Sequence, residues 1–205
     1  MKAVYVLCAS AAVFWLMLFS PWTSPHIPFW LLLAAAAGIL GAGSLILGRK
    51  DNRRLYELRL RYFTVGIASA YVLYVVFLAS RVSLEYFAPF ARQQIAAVYS
   101  RKAGTPAAYV AMLLFFWIGP AEEIFWRGFI QHRLAEKLGS TQGWLCASLL
   151  YAGIHAGSLN PVLMTAALVC GLFWGAMFKK FGSVWPGLIS HASWDLLVFI
   201  LWPLQ

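Results

Sequence analysis

Acidic residues are scarce in this chain: seven Asp and Glu stand among 205 residues, against 16 Lys and Arg, and only 11% of the residues carry charge. So little charge excludes an ordinary soluble enzyme, in which about a quarter of the residues are charged. Long polar stretches are missing, and the 16 glycines follow no three-residue period; disordered and collagen-like chains are excluded as well. Cysteine is sparse. Cys8, Cys146 and Cys170 lie far apart inside apolar segments, with neither an even count nor C-x-x-C spacing, and read as core thiols without a disulfide framework. A basic stripe interleaved with polar residues is also absent, so the net charge of +9 implies no nucleic-acid partner. The cations sit at the ends of apolar runs, where they report membrane orientation and contact with anionic headgroups.

What is present is apolar: 62% of the residues are hydrophobic and the mean hydropathy is +0.74. A spanning helix needs roughly 20 mostly apolar residues, which predicts an all-α polytopic membrane helix bundle of about seven spans, within a range of six to eight. The run 3–19 reads as a first span, too long for a signal peptide's apolar region. Pro21, Pro25 and Pro28 break the helix. Residues 29–48 form the second span, whose Gly38, Gly41 and Gly43 are predicted to let a neighbouring helix approach. Residues 62–80 form the third, and 85–102 a partly polar helix at the interface. Residues 106–138 read as one long helix kinked near Gly119-Pro120 and stopped at Gly139, followed by spans at 143–157, 161–178 and 185–203. Six cations, Arg49, Lys50, Arg53, Arg54, Arg59 and Arg61, crowd one loop; with Lys2, Arg127, Arg133, Lys137, Lys179 and Lys180 they place twelve of the 16 on one side, leaving Arg81, Arg92, Arg101 and Lys102 on the other. The positive-inside rule then puts the amino terminus in the cytoplasm and the carboxyl terminus outside.

Ionisable groups are costly at membrane depth, at ~2.5–3.5 kcal/mol on insertion scales, and usually face a bundle interior with a function. Glu122, Glu123, Asp195, His155 and His191 all occur in strongly apolar sequence. Glu123 and Arg127 stand at i and i+4 on one helical face, so the guanidinium can pair with that carboxylate; Glu122 points about 100° away and is freer. Tyr151 with His155, and His191 with Asp195, repeat the four-residue spacing. Singly, each has a structural reading: a Glu-Arg bridge, a satisfied core histidine, an interhelical clamp. Three polar clusters on three membrane helices are better explained by one convergent site, expected to open toward the cytoplasmic half. His132 and His26 read as interfacial and loop residues.

The stretch Glu122-Glu123-Ile124-Phe125-Trp126-Arg127-Gly128 resembles the E-E-x-x-x-R motif of the CAAX protease and bacteriocin-processing (CPBP, or Abi) family of intramembrane proteases. Tyr151 through His155 matches the family's F-x-x-x-H with tyrosine for phenylalanine, and His191 through Asp195 matches H-x-x-x-N or D. The resemblance covers roughly residues 105–200, so residues 105–205 are expected to form a catalytic helix core and 1–104 amino-terminal membrane helices without recognisable motif, in one integrated bundle. It implies a membrane hydrolase that cuts peptide bonds near the cytoplasmic face. Glu122 would activate the attacking water, His155 would assist in positioning or proton transfer, Glu123 would orient Arg127, and His191 with Asp195 would face the oxyanion.

The chemistry also stands on the residues. Desolvation makes a carboxylate a stronger base toward water, an imidazole supplies the acid, and a donor across the site stabilises the tetrahedral intermediate. No serine or cysteine sits in register with a base, which disfavours an acyl-enzyme. Asp195, ionised, only accepts hydrogen bonds; it must be protonated, orient His191, or join a metal site. The expected cofactor is therefore none, with zinc or another divalent metal as the alternative, although no H-E-x-x-H pair is present. The rival functions are a proton-coupled transporter or relay, and a catalytically silent immunity or binding protein. Expected partners are a peptide or lipidated-protein substrate and the bilayer. The compact chain suggests a bacterial inner (plasma) membrane.

Overall fold

The computed structural model describes residues 1–48, 53–88 and 90–204, so Arg49 and Lys50 of the cation-rich loop lie outside the described residues. Among the described residues there is helix and no strand. The helices are α1 (Lys2–Phe19), α2 (Phe29–Leu47), α3 (Arg61–Phe87), α4 (Phe90–Tyr99), α5 (Ala107–Leu138), α6 (Ser140–Gly153), α7 (Pro161–Phe181) and α8 (Trp185–Leu201). All seven segments read as spans are helical. Five of them, α1, α2, α3, α5 and α7, are long and apolar enough to cross a membrane unaided; α6 and α8 are shorter and complete the bundle between them. The helix expected over 85–102 is divided, because α3 continues to Phe87 and the backbone leaves helical geometry at Ala88 before α4 begins.

Local chemistry explains the boundaries. Asn160 caps α7, its side chain accepting from the Leu163 amide at 2.9 Å, with Pro161 in the first turn where its missing N–H costs nothing. Gly139, at φ 91°, turns the chain between α5 and α6 in a conformation that side chains with a Cβ resist. Pro120 does not break α5. The backbone shifts to wider i→i+5 bonding over Leu114–Ile118, which makes room for a ring that would otherwise meet the carbonyl four residues back, and does so again over Ile124–Gln131.

The helices pack as the small residues of α2 suggest. A Cβ on Gly38 would lie 2.9 Å from the Trp117 ring and one on Gly41 3.2 Å from Ala121, so α2 rests directly on α5. Alternation of the chain gives the bundle two ends. At one, Val184 N–H donates to the Leu55 carbonyl, Trp185 Nε1 to the Tyr56 carbonyl and Lys179 to Thr141; this is the end of Lys2 and of residues 54–61. At the other, Trp30 Nε1 donates to the Arg101 carbonyl and the Asn160 amide to Gln94.

On the expectation drawn from the cation count, the first end would face the cytoplasm. A single cysteine introduced at the exposed Thr23, in a variant lacking the native thiols, should then react with a membrane-impermeant maleimide from outside the cell, while one at Thr141 should react only after lysis. The reverse pattern would invert the bundle.

Candidate active site

Glu123 lies at the deepest point of the polar cluster, fully buried at 0% exposure. Its Oε1 accepts from Arg127 Nη1 at 2.8 Å and from His191 Nδ1 at 3.0 Å, so one oxygen ties two turns of α5 to α8. The i, i+4 pairing read from the sequence is present; the histidine partner could not be read from spacing. Arg127 reaches further, with Nη2 at 3.4 Å from the Cys170 carbonyl and 3.5 Å from that of Gly171, and its guanidinium lies 5.1 Å from the Tyr151 ring centroid and 5.5 Å from that of Trp174. A charge enclosed this way needs each of these partners. Close packing completes the seat: a Cβ on Gly187 would come within 2.8 Å of Glu123 Oε2.

Glu122 has a different environment. Tyr151 Oη donates to its Oε2 at 3.1 Å, its other oxygen has no hydrogen-bond partner among the described residues, and the side chain faces a cavity of about 280 Å³. The tyrosine that replaces the family's phenylalanine therefore supplies a hydroxyl to this carboxylate. Below Tyr151, His155 places Nδ1 2.8 Å from the Tyr151 carbonyl, and its Nε2 accepts from the indole N–H of Trp15 at 3.1 Å. An indole nitrogen only donates and a carbonyl only accepts. Both contacts therefore select the tautomer with the proton on Nδ1. Trp15, on α1, is a participant that the sequence did not reveal, because a tryptophan in an apolar run carries no pattern of its own.

His191 stacks on Trp174, with ring centroids 3.8 Å apart and planes at 18°, and Trp174 is itself held by a bond from Nε1 to Ser190 at 3.1 Å. Asp195 Oδ2 is 3.7 Å from His191 Nε2, a charge contact longer than a hydrogen bond. Glu122, His155, His191 and Asp195 all line the one cavity, with Tyr151 between them. Glu123 and Arg127 do not line it; Arg127, expected to converge on the cavity with the others, instead braces the site from behind its wall. The opening also differs from expectation. The cavity runs past Phe19, Phe29, Arg101 and Lys102, toward the end of the bundle away from Lys2 and residues 54–61, because His155 follows α6 at that end.

The donor set does not fit a metal. Among the described residues no three histidine, cysteine, aspartate or glutamate side chains gather as ligands. His155 has both ring nitrogens engaged by Trp15 and Tyr151, and the Glu123-facing nitrogen of His191 is committed to a carboxylate.

Residues 104–197 match the family model described as type II CAAX prenyl endopeptidase Rce1-like. This segment is an Rce1-like domain. The match takes in Glu122, Arg127, His155, His191 and Asp195 and agrees with the CPBP resemblance; the domain is that of a CAAX-type intramembrane endopeptidase, a peptide hydrolase acting within the membrane. No curated protein and no solved structure matches the chain significantly. Trp15, Phe19 and Phe29, which complete the cavity around the Rce1-like domain, come from outside the matched residues.

The different settings of the two glutamates predict different variants. Glu123→Gln leaves the Arg127 charge without a counter-ion and is expected to cost about 3–5 kcal/mol, read as a clear fall in thermal midpoint in detergent. Glu122→Gln keeps an acceptor for Tyr151 and should leave the midpoint within a few degrees of the parent. Equal midpoints for the two variants would contradict the roles given to Glu123 and Glu122.

Proposed function

We propose that the chain is an endopeptidase in which Glu122 activates water against a peptide bond of a membrane-associated or lipidated substrate. The observation that carries this reading is the contrast between adjacent carboxylates: Glu123 is fully buried, with Arg127 and His191 both bound to its Oε1, while Glu122 lines the cavity and is held through Oε2 by Tyr151. A base must be positioned, desolvated and within reach of the substrate, and of the two adjacent glutamates only Glu122 lines the cavity.

In the proposed reaction Glu122 takes one proton from water as the water oxygen bonds to the scissile carbonyl carbon. The carbonyl oxygen becomes an oxyanion on the side of His191, whose ring is fixed by Glu123 and Trp174 and whose Nε2 is directed toward Asp195 at the cavity wall. Collapse of the intermediate breaks the C–N bond, and Glu122 returns the proton to the leaving amine. His155 acts by position: its two fixed nitrogens hold the Tyr151 backbone and Trp15, and so hold the hydroxyl that orients Glu122.

Two measurements test the scheme. Peptidase activity of the purified protein on a prenylated peptide should fall at least ~10²-fold in Glu122→Gln. Asp195→Asn, which replaces an acceptor with a group that can also donate, should retain substantial activity that chelators do not remove. Loss of activity in Asp195→Asn with recovery on added zinc would overturn the metal-independent scheme, and full activity of Glu122→Gln would remove the glutamate from it.

A further inference from the structure

One part of the cavity wall belongs to a helix too short to span a membrane. Over its ten residues, α4 turns Ile95, Val98 and Tyr99 toward the cavity, which Val162 and Ala166 of α7 also line. Its other face, with Arg92, Gln93 and Ala96, is exposed. No side chain of α4 belongs to the matched family segment.

The two ends of α4 are held by different forces. Tyr99 is buried with Val198 and Leu204 in one apolar cluster, and its hydroxyl donates to the Val198 carbonyl at 2.7 Å while accepting from the Leu204 amide at 2.9 Å. In the first turn Ala91, with a methyl alone, is buried, whereas Phe90, Arg92 and Gln93 are exposed. Gln94 joins this end to the start of α7. Its carbonyl accepts from Asn160 Nδ2 at 2.9 Å and its side-chain Oε1 accepts from the Val162 amide at 3.1 Å. The Val162 amide is one of the first-turn donors that a helix leaves without an internal partner, so Gln94 caps α7 beside Asn160, which takes the Leu163 amide. Separating the Gln94 end frees polar groups that water can satisfy. Separating the Tyr99 end exposes an apolar cluster as well, and local opening is easiest where the fewest apolar contacts are lost. Upstream, the backbone at Ala88 is already non-helical, at φ −138° and ψ 82°, so movement of α4 requires no unwinding of α3.

We propose that α4 is a gate in the cavity wall, latched to the start of α7 through Gln94 and pivoting on Tyr99, so that release of the Gln94 end opens the cavity sideways between α4 and α7. The gate goes beyond the peptidase reading, since it governs access for any ligand of the cavity.

A native thiol reports the opening. Cys170 lines the cavity at 4% exposure, whereas Cys8 is half-buried on α1 and does not line it. The full-length protein in detergent is treated with N-ethylmaleimide, and labelling of both thiols is followed by mass spectrometry of the digested chain. Gln94→Met keeps the length of the side chain and removes the acceptor; Cys170 should then label about fivefold faster than in the parent or more, with the Cys8 rate and the thermal midpoint unchanged. Gln94→Glu keeps an acceptor and places a negative charge at a helix amino terminus, where it is favoured; Cys170 should label at the parent rate or more slowly. An unchanged Cys170 rate in Gln94→Met would overturn the gate, as would a rise shared equally by Cys8, which marks general loosening. Faster labelling in Tyr99→Phe with none in Gln94→Met would put the opening at the other end of α4 and overturn the latch. None of these readouts uses cleavage of a substrate, so the gate and the peptidase reading stand or fall separately.

Discussion

One carboxylate oxygen, Glu123 Oε1, carries the two contacts on which the rest of the site is arranged: the Arg127 guanidinium one turn along the same helix and the His191 ring from α8. In a medium of low dielectric an isolated charge of either sign is costly, and each becomes tolerable through the other and through further hydrogen bonds. Arg127 extends the arrangement to the α7 carbonyls of Cys170 and Gly171. Three helices are thereby held in one register by a single ionic centre, and the stacked pair of Trp174 and His191 follows from it. Because Glu123 is consumed in this task, its neighbour is released from it.

The backbone of α5 prepares that division. Wider i→i+5 turns flank Gly119–Glu123 on both sides, a distortion that recurs at functional sites because it redirects side chains without ending the helix. Pro120 accounts for the first of the two. The second spans Arg127 itself, so the residue that neutralises Glu123 lies on a stretch whose pitch departs from the ordinary helix.

The amino-terminal helices, which carry no motif, complete what the Rce1-like domain begins. Trp15 from α1 occupies His155, and Phe29 from the start of α2 forms part of the cavity wall. A cavity that closes only when α1 and α2 are in place makes the two halves of the chain interdependent for chemistry as well as for packing. Its lining brings together the carboxylates Glu122 and Asp195 and the cations Arg101 and Lys102.

Partners within one helix were legible in the sequence. The Glu123-Arg127 pair, the Tyr151-His155 pair and the His191-Asp195 contact all follow from four-residue spacing, because helical geometry alone places i and i+4 side by side. The membrane bundle was equally legible, since charge this scarce leaves few alternatives, and the glycines of α2 foretold a close helix neighbour, which α5 is at Gly38 and Gly41. Spacing says nothing about how one helix is rotated against another, and every unforeseen feature of the site depends on that rotation: His191 on Glu123 instead of Glu122, Trp15 on His155, the opening toward Arg101 and Lys102. The residue sequence by itself determined that the chain forms a membrane helix bundle with polar pairs buried in it. The four-residue spacing also paired Glu123 with Arg127 and left Glu122 freer; only the tertiary structure decided that His191 joins Glu123 and that Glu122 lines the cavity with Tyr151 on it, because those contacts are made between helices, whose partners lie tens of residues apart in the chain.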